Sequence, residues 1–340
     1  MKGALAALGT VVLLFLVNGL FSGSLVPGVS ISPYVLQVLC LAGINIILAV
    51  SLNLINGFTG QFSIGHAGFM AIGAYTSAFV SFYWGERIRS VFRFLPEVGR
   101  DSVVLLSALA GGALLAAIAG FLVGVPSLRL RGDYLAIVTL GFGEIIRVWI
   151  LNVDAVGGAR GFSGIAKLAN FFWIYLFAAL TILVVYRVVH SSFGRTLVAI
   201  REDEIAAEAM GVDTTRSKVI SFVVSSAMAG IGGGLFAHYL MYLHTNSFTF
   251  IKSIEIIIMI VIGGLGSITG SVLGAVLYIG LTEGLREFAQ YRMVLFSLLL
   301  IVIMIVRPQG ILGHREFLYF FRRRRGRPLD APMPPAIEGE

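Results

Sequence analysis

Apolar stretches separated by short polar segments run the length of the chain, at about 4–21, 34–55, 67–83, 103–125, 133–153, 170–190, 217–237, 253–264, 270–285 and 291–306. A hydrocarbon core is crossed by a helix of roughly 20 apolar residues. The pattern therefore predicts an all-α, polytopic transmembrane bundle of about ten spans. The fifth span carries two charges, and the eighth and ninth are short and broken by glycine. Two segments interrupt uncharged stretches with Gly, Ser and Thr, one in each half: residues 57–66 (GFTGQFSIGH) and 263–271 (GGLGSITGS). Paired interruptions of this kind point to discontinuous helices lining a path, because irregular backbone survives at membrane depth only inside protein or beside a wet cavity. The other glycine clusters read as close helix–helix packing.

Composition supports a membrane protein: 57% of the 340 residues are hydrophobic, 13% are charged, and mean hydropathy is +0.92. No Asp, Glu, Lys or Arg occurs from Gly3 to Gly85. Soluble, disordered, disulfide-scaffold and nucleic-acid-binding classes are excluded at this point. The balance of +7 is concentrated in a basic cluster from Arg315 to Arg327, which reads as a topology signal and a contact with anionic lipid. Ten spans put both termini on one side. The segments on that side hold more Lys and Arg, with five in 187–218 against four in 84–102, so both termini are expected in the cytoplasm. The first span is expected to remain uncleaved. Cys40, the single cysteine, excludes an intrachain disulfide.

Enzymatic signatures are missing. No lysine follows a glycine, so there is no Walker A phosphate cradle. No His or Cys spacing suits a metal, and no nucleophile elbow occurs. Catalysis by this chain is not expected. The long polar segment around 194–216 instead has a helical pattern, with Leu197, Ile200, Ile205 and Ala209 toward one side, carboxylates elsewhere, and Gly211 as its stop. On pattern alone it is either a docking helix for a cytoplasmic partner or a solvated connector.

Several motifs in chain order resemble one family. Glu202-Asp-Glu-Ile-Ala-Ala-Glu-Ala-Met-Gly211 is similar to the coupling loop of bacterial ABC importer permeases. Four further stretches resemble the LivM-type permeases of branched-chain amino-acid importers: residues 57–69, residues 131–144, Gly157-Gly with Gly161-Phe-Ser-Gly164, and Arg307-Pro-Gln-Gly-Ile-Leu-Gly313. The resemblance covers about residues 35–313 and implies a permease domain over 1–313 with a coupling loop at 191–216; the basic, proline-containing tail over 314–340 departs from it and is expected from its composition to be disordered. It implies a bacterial inner-membrane importer in which this chain pairs with a homologous second permease, two cytoplasmic ABC ATPases and an extracytoplasmic amino-acid-binding protein. ATP and Mg would be used by the ATPases and no cofactor bound here. By carry-over, Arg195, Glu202, Asp203, Glu204, Ala206, Ala207 and Gly211 would face the ATPase.

The candidate translocation path is drawn from polar and small residues within the spans. Asn45, Asn53 and Asn56 lie on one side of the second span at about 100° per residue. Gly60, Ser63 and His66 stand in the first break, and Gly266 and Ser267 in the second. His66 is either a path residue or a packing histidine. Glu144 and Arg147 share a helix face inside the fifth span, as a mutual ion pair or as groups in gating. An ion-coupled carrier that titrates Glu144, a urea or short-amide permease and a non-transporting scaffold remain the alternatives at this stage.

Overall fold

The computed structural model describes residues 32–286 apart from 129 and 131, with isolated positions between 291 and 310. The expected first span, the body of the last, the motif at 307–313 and the 314–340 tail lie outside the described residues.

Helix α1 (Pro33–Asn53) starts with proline at its first turn, where the missing N–H costs nothing, and runs on through a wide turn at Leu54–Phe58. The first Gly-rich break follows, and α2 (His66–Phe79) leaves it. A second wide turn at Val80–Trp84 leads into the short α3 (Gly85–Val91), and α4 (Glu97–Ser127) returns. Then come α5 (Asp133–Leu151) and α6 (Phe171–Val189). The polar segment forms α7 (Ser192–Glu202) and α8 (Glu204–Ala209), followed by α9 (Thr214–Leu240). The last arms are α10 (Phe250–Gly263) and α11 (Ile268–Gly284). A two-residue antiparallel pair, β1 (Phe162–Ser163) with β2 (Tyr242–Leu243), closes the end of the bundle where α5 stops and α10 begins, with Phe162 opposite Leu243.

Among the described residues, five helices are long and apolar enough to cross a membrane, and a sixth results if α10 and α11 count as one broken span. The expected spans at 253–264 and 270–285 are these two arms, joined by a 120° bend at a four-residue break. The expected span at 67–83 is a 14-residue helix that runs on through the wide turn into α3. The packing is arranged around α1. Its span is 83% buried, against 22% for both α5 and α6, so α1 is the hub and those two form the rim.

Glycine makes the tightest approaches. A Cβ on Gly73 of α2 would sit 2.2 Å from Gly230 of α9, and one on Gly112 of α4 would sit 2.8 Å from the Gly73 carbonyl. Three helices thus meet backbone to backbone at one point. Lipid tails are as apolar as leucine, so close van der Waals contact between helices takes over much of the role that the hydrophobic effect plays in water.

Candidate functional site: the coupling segment and the two glycine breaks

The expected coupling helix is two helices. Its pattern carries across Asp203, but Asp203 has extended backbone (φ −156°, ψ 109°) and its side chain accepts from the N–H groups of Ile205 and Ala206 at 2.9 and 3.0 Å. An aspartate that caps a new helix competes with continuation of the old one, and this local bond breaks the run. α8 ends in a Schellman turn. Val212 N donates to Ala207 O, Gly211 N donates to Glu208 O, and Gly211 takes φ +84°, which favours glycine.

The residues carried over from the resemblance divide between two faces. Arg195, Glu202, Asp203, Ala206 and Gly211 are exposed, whereas Ala207 is buried against the bundle. Glu204 turns inward: its carboxylate meets the Lys218 ammonium at 2.6 Å, and the Lys218 side chain is only 1% exposed. The outer face also presents two large apolar side chains, Ile205 and Met210, 67% and 85% exposed. Periodicity puts Leu197, Ile200, Ile205 and Ala209 toward one side of a single helix; with the break at Asp203, Leu197 and Ile200 are buried and Ile205 and Ala209 exposed.

The polar segment of α7 and α8 reaches the first break through Arg201. Its guanidinium donates to Glu202 Oε1 at 2.6 Å and to the Gly57 carbonyl at 3.2 Å. A Cβ on Gly60, which has φ +71°, would come within 2.7 Å of the Arg201 side chain. The two breaks, more than two hundred positions apart in sequence, then meet each other. Asn53 Nδ2 donates to Ser267 O and Gly266 N donates to Asn53 Oδ1, each at 2.9 Å. Gly57 lies so close to Gly266 that a Cβ there would be 2.3 Å from its nitrogen. The elbow between α10 and α11 requires Gly264 and Gly266 at φ +121° and +79°.

Asn53, Asn56, Ser63, His66 and Ser267 are buried, each with a protein partner. Asn56 and Ser63 exchange two bonds, Asn56 Nδ2 to Ser63 O and Ser63 N to Asn56 Oδ1. His66 Nε2 is 2.9 Å from Ser51 Oγ. Glu144 receives Arg147 Nε at 2.7 Å on one oxygen and the Phe250 N–H at 3.2 Å on the other. That arrangement pins α5 to the start of α10 and commits both carboxylate oxygens. Asn45 belongs elsewhere, on a separate cavity with Lys252 and Glu255. Those two charges, Lys218 and Arg201 did not enter the candidate set read from the sequence. Lys252 and Glu255 carry the same i,i+3 signal inside an apolar run that singled out Glu144 and Arg147.

A family model described as "Branched-chain amino acid transport system / permease component" matches residues 34–307. The chain belongs to that family. It is 38% identical over 304 residues to a LivM permease protein of a high-affinity branched-chain amino acid transport system in Salmonella typhimurium, covering 79% of this chain and 68% of the relative. A probable LivM from Methanocaldococcus jannaschii is 26% identical over 325 residues, covering 81% of this chain and 92% of that protein. The Salmonella LivH permease, a second type, aligns at 32% identity over 166 residues, covering 47% of this chain and 53% of its own length. No solved structure matches the chain. The chain is therefore a permease subunit of the LivM kind, built as a multi-pass helical membrane protein.

Proposed function

We propose that this permease forms the translocation unit of an ATP-driven importer for branched-chain amino acids, together with a homologous second chain of the LivH kind. In this reading two cytoplasmic ATPases hydrolyse Mg-ATP and dock on α7 and α8, and an extracytoplasmic binding protein delivers the substrate. Both termini lie in the cytoplasm. The ATPases press on α8, and the Arg201 guanidinium passes that displacement to Gly57 and so to the α10–α11 elbow.

One observation carries the docking assignment. α8 exposes Ile205 and Met210 on a projection whose root is fixed by the buried Lys218–Glu204 pair. Exposed apolar side chains on a rigid polar support suit an interface core surrounded by charges, here Glu202 and Arg195. Substituting Ile205→Glu with Met210→Glu should weaken ATPase retention on purification by about tenfold or more, the scale of a lost interface hot spot. Thermal unfolding of the permease itself should not move. Undiminished retention and transport by the double variant would sink the docking assignment.

A further inference from the structure

A cavity of about 230 Å³ lies among α1, α10 and α11, with α2 and α9 each adding a side chain, apart from the contacts that join the breaks to the polar segment. Leu41, Ile44 and Phe236 are among its apolar lining, and its polar lining is Asn45, Lys252, Glu255, Tyr278 and Thr282. Lys252 Nζ donates to Glu255 Oε2 at 3.0 Å and to Asn45 Oδ1 at 3.2 Å. Asn45 Nδ2 donates onward to Leu41 O at 2.9 Å. The two charged side chains are mostly shielded, 19% and 23% exposed, in an arm that is otherwise almost wholly apolar.

Ionisable groups within the apolar helices of a membrane protein are costly and often mark substrate paths. This pair also keeps bonding capacity in hand. An ammonium has three donors and Lys252 uses two; a carboxylate accepts at about four lone-pair positions, and among the described residues Glu255 is engaged only by Lys252. A ligand can bind both ends of the pair without breaking it. The charge balance selects that ligand. The pair is neutral, so a zwitterion leaves the cavity neutral, whereas a simple amine or acid would add an uncompensated charge at low dielectric. Size points the same way. Drug-sized ligands fill roughly 300–1,000 Å³, and about 230 Å³ suits something smaller.

We infer that this cavity is a transit site for a zwitterionic aliphatic amino acid. Lys252 takes the α-carboxylate, Glu255 takes the α-ammonium, and the aliphatic side chain lies against apolar lining residues such as Leu41, Ile44 and Phe236. The inference rests on the amino-acid reading above and adds a substrate contact within this chain.

The test is uptake of labelled leucine by the complete importer in liposomes. If the wild-type complex carries no leucine, both the substrate reading and this site fall. If it does, Lys252→Gln and Glu255→Gln should each lower uptake by about tenfold to a hundredfold, the worth of one charge-assisted hydrogen bond. The charge swap Lys252→Glu with Glu255→Lys should restore assembly but not uptake, because each charge then meets the wrong end of a ligand still oriented by the apolar lining. Full uptake by either Gln variant, or by the swap, overturns the site. If the Gln variants do not assemble, Asn45→Cys supplies a second measurement. Millimolar leucine should shield that thiol from a maleimide, while isoamylamine and 4-methylpentanoate should not. Equal labelling with and without leucine overturns the site.

Discussion

At the scale of single residues, the informative side chains are polar groups deep in an apolar molecule. Lys218 is 1% exposed and is held by Glu204. Removing one member of a buried pair leaves an uncompensated charge, at a cost of about 3–5 kcal/mol, while replacing both often costs little. Glu204→Gln should therefore lower the unfolding temperature of the purified permease sharply, and adding Lys218→Met should recover most of the loss. A single variant as stable as wild type would mean that Lys218 is hydrated or paired elsewhere. Asn53 is a second case. Its amide satisfies Ser267 O and Gly266 N at the elbow, and Asn53→Ala leaves both without that partner, at about 1–3 kcal/mol for each group left unsatisfied. Thermal unfolding checks this too, with Asn53→Ala expected well below wild type. These residues were only partly legible beforehand. An asparagine stripe can be read from spacing, but whether it lines a path or clamps backbone depends on partners more than two hundred positions away.

At the scale of elements, helix packing rests on glycine at particular contacts and not on glycine content. Gly73 touches Gly230 and Gly112, whereas a Cβ on Gly141 or Gly280 would meet nothing within 4 Å. Gly73→Ala should destabilise the purified chain by about 1–3 kcal/mol or more, since overpacking forces the backbones apart. Gly141→Ala and Gly280→Ala should be neutral or slightly stabilising, by up to about 1 kcal/mol from helix propensity. Similar unfolding temperatures for all three would contradict the packing scheme. Sequence alone ranks these glycines equally, because period and composition carry no information about which helix faces which. The same limit explains the coupling segment. Its pattern is helical throughout, and only the side-chain cap at Asp203 shows that there are two helices, which rotates Ile205 outward.

At the scale of the molecule, the two Gly-rich breaks join into one structure and Arg201 connects it to the polar segment of α7 and α8. A displacement at α8 has a short physical route to α1, the most buried helix, and to the bent α10–α11 pair. In the reconstituted importer, Arg201→Ala should keep the ATPases bound yet lower leucine uptake per ATP hydrolysed by about tenfold, the scale of a single hydrogen-bonded coupling. An unchanged transport-to-hydrolysis ratio would show that the signal takes another route.

The order of hydrophobic and polar positions was enough to establish an all-α membrane protein, to place most of the described helices and both breaks, and to mark the polar segment around 194–216 as helical. Those features are local: a helix in lipid satisfies its own backbone, and an apolar run is sufficient to specify it. The tertiary structure alone decided that the breaks touch, that Glu204 faces Lys218 while Ile205 faces out, that Glu144 bonds the start of α10 as well as Arg147, and that Asn45 stands with Lys252 and Glu255. Ile205 turns outward through a local bond, the Asp203 cap; the others rest on contacts between different elements, which depend on packing that no periodicity encodes.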